Sequence, residues 1–272
     1  MVAPNLIAKL YINVEILAIV DNFGISYKDF MNSQTDLSNM PVYVIIGDGR
    51  AACHFDHYLR LLNLQVRRWS RRQDPKESLL PSLVLGDVRV LLAIADGAIE
   101  PFVLSHPCLE EKCCIHFSGS LVTPLAFGAH PLFTFGKELY EVEKYKQMAF
   151  ILEKSEMTFE TLLPRLPNCH YAIDKELKPF YHALCVLSGN FTTILWQKFF
   201  CELQTRFTIP KEAAFPYLQQ IANNLQKDSQ SALTGPLTRG DHKTIEANLK
   251  ALEQDPFKHI YEAFVAGYKR EK

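Results

Sequence analysis

The sequence predicts an α/β fold, a doubly wound and mostly parallel sheet, followed by an all-α C-terminal domain. Three observations lead there. Short apolar runs alternate with helical patterns from residue 40 to about 173. The first run, Val42 to Ile46, ends in Gly47-Asp48-Gly49-Arg50-Ala51-Ala52 and leads into a helical pattern. After Asp174 no run alternates as a strand does.

A strand that ends in Gly-x-Gly-x-x-Ala and opens a helix is the Rossmann-type start of a dinucleotide-binding domain. Gly47 lets the chain turn off the strand, and Gly49 keeps a Cβ away from a pyrophosphate. Ala52 is small enough for helix and sheet to pack, and the amides at Arg50 and Ala51 lie at a helix N-terminus that attracts phosphate. A glycine-rich turn without a ligand is the plain alternative, and Asp48 favours it, because an acid beside a pyrophosphate is unhelpful unless it points away.

The other elements follow in order. Ala51 to Leu62 reads as the first helix and Gln65 to Ser70 as strand two. Pro81 to Leu85 is a short helix or a connection. Arg89 to Ala95 is a fully buried strand, followed by a helical run from Ala98 to Leu104. Strand-like runs cover Lys112 to Phe117, Gly128 to Phe135 and Gln147 to Leu152. A helix over 159–166 precedes a last strand from Asn168 to Ile173. Lys178 to Glu202 reads as one long helix, with Pro179 tolerated in its first turn. Further helices run from Ala213 to Gln226, Lys243 to Leu252 and Pro256 to Tyr268.

Three segments result: an N-terminal extension, 1–39, of no assigned role; a dinucleotide domain, 40–173; and a helical substrate or dimerisation domain, 174–272. The extension has mixed character, and an extra helix or strand packed on the domain is its rival reading.

The chain has 272 residues, 48% hydrophobic and 22% charged, with net charge -1. That length can bury a substantial core. A near-neutral balance offers no field for nucleic acid, so a small molecule is the expected partner. No apolar run approaches the roughly 20 residues that span a bilayer, and none resembles a signal peptide. The expected location is the cytoplasm, without membrane contact. Seven cysteines with no Cys-x-x-Cys read as reduced thiols. His106, Cys108, Cys113, Cys114 and His116 look metal-like by composition. Cys113 to Phe117 reads better as a buried strand with Cys114 and His116 on one face, so no metal is expected.

The end of strand two points to the cofactor. NAD enzymes place an acid there for the ribose hydroxyls, whereas this chain has Ser70, Arg71 and Arg72. Arginine matches a 2′-phosphate through bidentate, charge-assisted bonds, which favours NADP (as NADPH) over NAD. A solvated basic edge is the alternative. Ala95 and Asp96 follow the next strand, where they line the nicotinamide side or Asp96 caps the helix. Ser118 follows another strand and holds the nicotinamide amide or the substrate.

His182 and Asn190 are eight residues apart on the long helical pattern and so project from nearly one face. Reduction of a carbonyl or imine needs a proton on the heteroatom, which a histidine supplies near neutral pH. A hydrogen-bonded core histidine, with Asn190 satisfying backbone, is the rival. Thr234 and Arg239 lie in a Gly- and Pro-rich stretch, Ala232 to Asp241. Arg239 suits a substrate carboxylate, or it pairs with Asp241.

These pieces in this order resemble a family of Rossmann-like oxidoreductases whose C-terminal part is called domain of unknown function 2520. The matching pieces are Gly47 to Arg50, Ser70-Arg71, Asp96, His116 to Gly119 and Ala129 to Pro131. Tyr181-His182, Ser188 to Asn190 and Leu233 to Asp241 continue the match, so the resemblance spans Met40 to about residue 265. Ala52 stands where the family usually has a third glycine, and residues 1–39 lie outside the pattern. The family is similar to 6-phosphogluconate dehydrogenase, pyrroline-carboxylate reductase and ketopantoate reductase. The resemblance implies NADPH-dependent reduction of a small 2-oxo acid, ketopantoate first, with a cyclic imine or a non-catalytic regulatory role as alternatives. A homodimer through the helical domain is expected by analogy.

Overall fold

The computed structural model describes residues 41–75, 78–79, 83 and 87–271. The extension 1–39 and most of Pro81 to Leu85 lie outside the described residues. The chain divides into two compact units, one ending at Asn190 and the other running from Phe191 to Lys272.

In the first unit, β1 (Val42–Ile46) is buried at all five positions. An apolar run without alternation is what a central parallel strand needs, because both faces are covered. Gly49 precedes α1 (Arg50–Leu61), whose buried Ala52, Phe55, Tyr58 and Leu59 recur at helical spacing. β2 (Gln65–Trp69), β3 (Val88–Leu92), α2 (Asp96–Leu104), β4 (Cys113–His116) and β5 (Phe127–Leu132) follow. Next come α3 (Val142–Lys146), β6 (Ala149–Glu153), α4 (Phe159–Leu162) and β7 (His170–Ile173). The unit closes with α5 (Lys178–Cys185), which leads into a π-helical turn, Val186–Phe191.

The seven strands lie in the order β2-β1-β3-β4-β5-β6-β7. β1 to β5 pair in parallel, so the chain leaves β1 in opposite directions toward β2 and β3. Such a switch point opens a crevice at the strand C-termini. β6 is antiparallel to β5 and parallel to β7, so the parallel sheet ends in a reversed pair. Tyr43, Ile45, Leu91 and Ile115 face one core, and Val44, Ile46, Leu92 and Cys114 face the other.

Two predicted elements come out shorter or interrupted. The helix expected over 159–166 stops at Leu162, and Arg165 takes a φ of 66°. Pro164 excludes helical backbone at Leu163, which accounts for the stop. The long helix is broken by the π turn around Ser188 and Gly189. Ser188 Oγ donates to Leu184 O at 2.8 Å, competing for a carbonyl of the helical ladder.

The second unit holds α6 (Thr192–Thr205), α7 (Phe215–Lys227), a four-residue α8 (Pro236–Arg239), α9 (His242–Ala251) and α10 (Lys258–Glu271). It contains no described strand. The unit boundary falls after Asn190 and not at 174, so α5 goes with the sheet. Burial of Lys178 against Glu153 of β6 explains why.

Candidate functional site

The glycine turn is built as its motif requires. Gly47 has a φ of 133°, and a Cβ there would overlap the carbonyl of Ala93 just past β3. Its amide donates to Trp69 O at 2.9 Å, and its carbonyl accepts from Arg68 Nε at 3.1 Å, so β2 clamps the turn. Gly49 is exposed, has open space around it, and precedes α1 with no side-chain cap. The first amides of this 12-residue helix are left for an anion. Arg50 reaches Phe135 O at 3.4 Å, and Ala51 is half-buried.

At the C-terminus of β2, Ser70 is buried while Arg71 and Arg72 are exposed. Ser70 Oγ donates to Asp48 Oδ2 at 3.2 Å, so the acid of the turn points at the β2 end.

Past β3, Ala95 precedes α2 without a side-chain cap, and Asp96 is the first helical residue. Asp96 therefore does not cap α2. Its carboxylate instead accepts the Ser118 hydroxyl, bridging the ends of β3 and β4. That hydroxyl also accepts the amides of Ser120 and Leu121, at 3.2 and 2.9 Å. Ser118 thus shapes the loop after β4, and its hydroxyl is already fully engaged.

A histidine cluster surrounds this loop. His116, fully buried, receives the Ser118 amide on Nδ1 at 3.3 Å. A neutral ring then carries its proton on Nε2, and that atom has no partner. His130 of β5 pairs with Tyr181 Oη at 2.8 Å and meets the His182 ring at 5.6 Å. His182 lies against Gly119, where a Cβ would overlap the imidazole, and its buried Nδ1 is also unpartnered. Burial pushes the Tyr181 hydroxyl above its usual range. Orphaned buried nitrogens are uncommon and mark places where a ligand or water is wanted.

Beneath the cluster lies an ion pair. Lys178 is 2% exposed and donates to Glu153 and to the Leu121 carbonyl. Gly128 leaves space for the pair, because a Cβ would overlap both charged groups. Burial lowers the Lys178 pKa, and Glu153 opposes that shift. A cavity of about 260 Å³ opens beside it, lined by Cys114, Thr123 and Gly128 among others.

Burial, then the Lys178 charge, lowers His116 to about 4 from 6.5. Burial, then His182 and Lys178, does the same to His130. Each histidine is neutral in the fold but takes a proton when unfolded between those pH values. Stability is therefore fully present above pH 6.5 and falls toward pH 4, by about 1.4 kcal/mol per pH unit for each histidine. Urea midpoints across this range should fall less steeply for His116→Asn than for the unaltered protein. Equal slopes would contradict the assignment.

Asn190 is exposed, forms no side-chain hydrogen bond with the cluster, and lies within the π turn. The 100° phase that placed it on the face of His182 does not persist through that turn. In the second unit, Thr234 and Arg239 are exposed around α8. Asp241 caps α9 through Thr244, at 3.0 Å to its amide, and makes no salt bridge with Arg239. Sequence reasoning missed His116, His130, Lys178 and Glu153 as site residues. One signal was present: a lysine at the first position of a helix opposes the helix dipole and needs a reason. Among the described residues, no cluster of three or more His, Cys, Asp or Glu has metal-binding geometry, and no helix is long and apolar enough to cross a membrane.

Strand order and the clamped glycine turn decide the fold. The first unit is a Rossmann fold. Residues 150–267, from β6 of the Rossmann unit through most of the helical unit, match the family model for a domain of unknown function, DUF2520. No curated protein matches the chain in sequence. Solved structures share the architecture. A candidate NADP oxidoreductase from Bacteroides fragilis is 20% identical with a TM-score of 0.65, over 85% of this chain and 98% of that one. The Myxococcus stipitatus imine reductase, in complex with NADP+, is 13% identical with a TM-score of 0.56, over 85% and 93%. Plasmodium falciparum pyrroline carboxylate reductase, with NADP bound, is 11% identical with a TM-score of 0.51, over 85% and 97%. At these identities the likeness is one of fold.

Proposed function

We propose that the chain is an NADPH-dependent reductase of a small carboxylate-bearing substrate with a C=O or C=N bond. The observation that carries this reading is the crevice itself. A turn fit for pyrophosphate stands at its β1 end, and buried, unpartnered imidazole nitrogens stand at the end of β4 and on α5. The nicotinamide, when bound, supplies hydride. His116 Nε2–H offers a donor to a carboxamide or substrate oxygen, and Ser118 with Asp96 holds the loop that carries it. His182 holds the proton that passes to the substrate heteroatom, with its ring fixed between Gly119 and His130. Ser70, Arg71 and Arg72 bind the 2′-phosphate.

The resemblance makes ketopantoate the first substrate to try. A cyclic imine is the second reading, favoured by the imine and pyrroline carboxylate reductases among the structural neighbours. NADPH oxidation against a panel of 2-oxo acids and cyclic imines separates the two. His182→Gln should lower kcat by about 10²–10⁴-fold while NADPH binding persists. Tight NADPH binding with no turnover on any panel member would leave only the non-catalytic, NADP-binding role. We also propose a homodimer, supported by the exposed Phe207, Phe215, Tyr217 and Phe264 of the second unit. Sedimentation should give the mass of two copies.

A further inference from the structure

The end of β2 carries no acid in sequence, yet the fold delivers one to it. Asp48 projects from the glycine turn and accepts the Ser70 hydroxyl at 3.2 Å. Its carboxylate is 27% exposed and lies 3.7 Å from the Arg72 guanidinium. A second acid, Asp74, accepts the Ser70 amide at 2.7 Å. Both donors of Ser70 are therefore held by carboxylates, and one of the two arginines already faces a negative partner.

A 2′-phosphate at this edge seeks those same donors: the Ser70 hydroxyl and the guanidinium groups. Asp48 competes for them and repels the phosphate at short range. A 2′-hydroxyl meets the opposite situation, because a carboxylate at the end of β2 is the group that accepts ribose hydroxyls. The turn is clamped to β2 through Gly47, at 2.9 Å to Trp69 O and 3.1 Å from Arg68, so Asp48 is held near this edge. We propose that Asp48 is a specificity-determining residue that disfavours a 2′-phosphate and accepts a 2′-hydroxyl. The selectivity for NADPH over NADH is then narrower than Ser70, Arg71 and Arg72 alone would set. This inference rests on the dinucleotide reading of the crevice.

Calorimetric titration of the full chain with NADPH and NADH tests it, with 2′,5′-ADP and 5′-AMP as fragments that differ at the 2′ position. Asp48→Asn keeps the shape and an acceptor for Ser70 but removes the charge, and Asp48→Ala removes both. In both variants NADPH and 2′,5′-ADP should bind about tenfold more tightly. NADH should bind about threefold more weakly to Asp48→Ala, which loses the acceptor. If either variant weakens NADPH and NADH equally, Asp48 only supports the turn and the proposal falls. An NADPH-to-NADH ratio that moves less than about twofold in both variants also overturns it. Unaltered protein that binds neither dinucleotide overturns the reading beneath it, a result distinct from an unchanged ratio.

Discussion

Replacing Lys178 by methionine lowers the stability of the protein by about 3–5 kcal/mol, because it strands the Glu153 carboxylate without a partner. Glu153 is 9% exposed and Lys178 2%, so water cannot take over the role of the lost ammonium. The double variant Lys178→Met/Glu153→Leu removes the charge along with the pair. It should recover most of the loss, since well-packed apolar groups often replace a buried ion pair at little cost. Urea unfolding of the two single variants and the double one measures the coupling. Additive effects would show that the two residues act independently. Dinucleotide titration then separates stability from function, because the pair supports β6 and α5 while the glycine turn lies at β1.

Gly47→Ala combines two penalties that the protein cannot relieve separately. At a φ of 133° an alanine is strained, by about 1–3 kcal/mol. The new methyl would also press on the backbone carbonyl of Ala93, which cannot rotate away as a side chain would. The expected result is a lower urea midpoint together with loss of measurable NADPH binding. Gly49→Ala is the comparison, since a Cβ there meets nothing within 4 Å. It should fold normally and report only how closely a ligand approaches. An alanine at 47 with unaltered stability and binding would mean that the turn is more adaptable than its contacts imply.

The fold was legible where local pattern and packing agree. A five-residue apolar run between turn signals allows few outcomes, and β1 has the predicted bounds, Val42 to Ile46. The glycines at 47 and 49 announced the turn because their lack of a side chain is the feature used. The site was only partly legible. His182 was recognised on a helical pattern, but its neighbours come from β5 and the loop after β4, distant in sequence. His130 lies in a run that reads simply as strand, and nothing local indicates that it meets Tyr181. An acid at position 48 is unusual in a phosphate-binding turn, yet its contact with Ser70 spans 22 residues and depends on β1 and β2 pairing in parallel. Asn190 shows the opposite failure. Its placement assumed unbroken α-helical phase, which the π turn interrupts.

The contact between Gly119 and His182 has an evolutionary consequence. The imidazole occupies the space that any side chain at 119 would need, so position 119 cannot drift alone. A lineage that kept histidine at 182 is confined to glycine at 119, whatever the loop after β4 would otherwise tolerate. Release requires a smaller residue at 182 first, and under the proposed role that step gives up the proton donor. The order of change is therefore fixed, and a side chain at 119 in a related sequence marks one that has already lost the histidine.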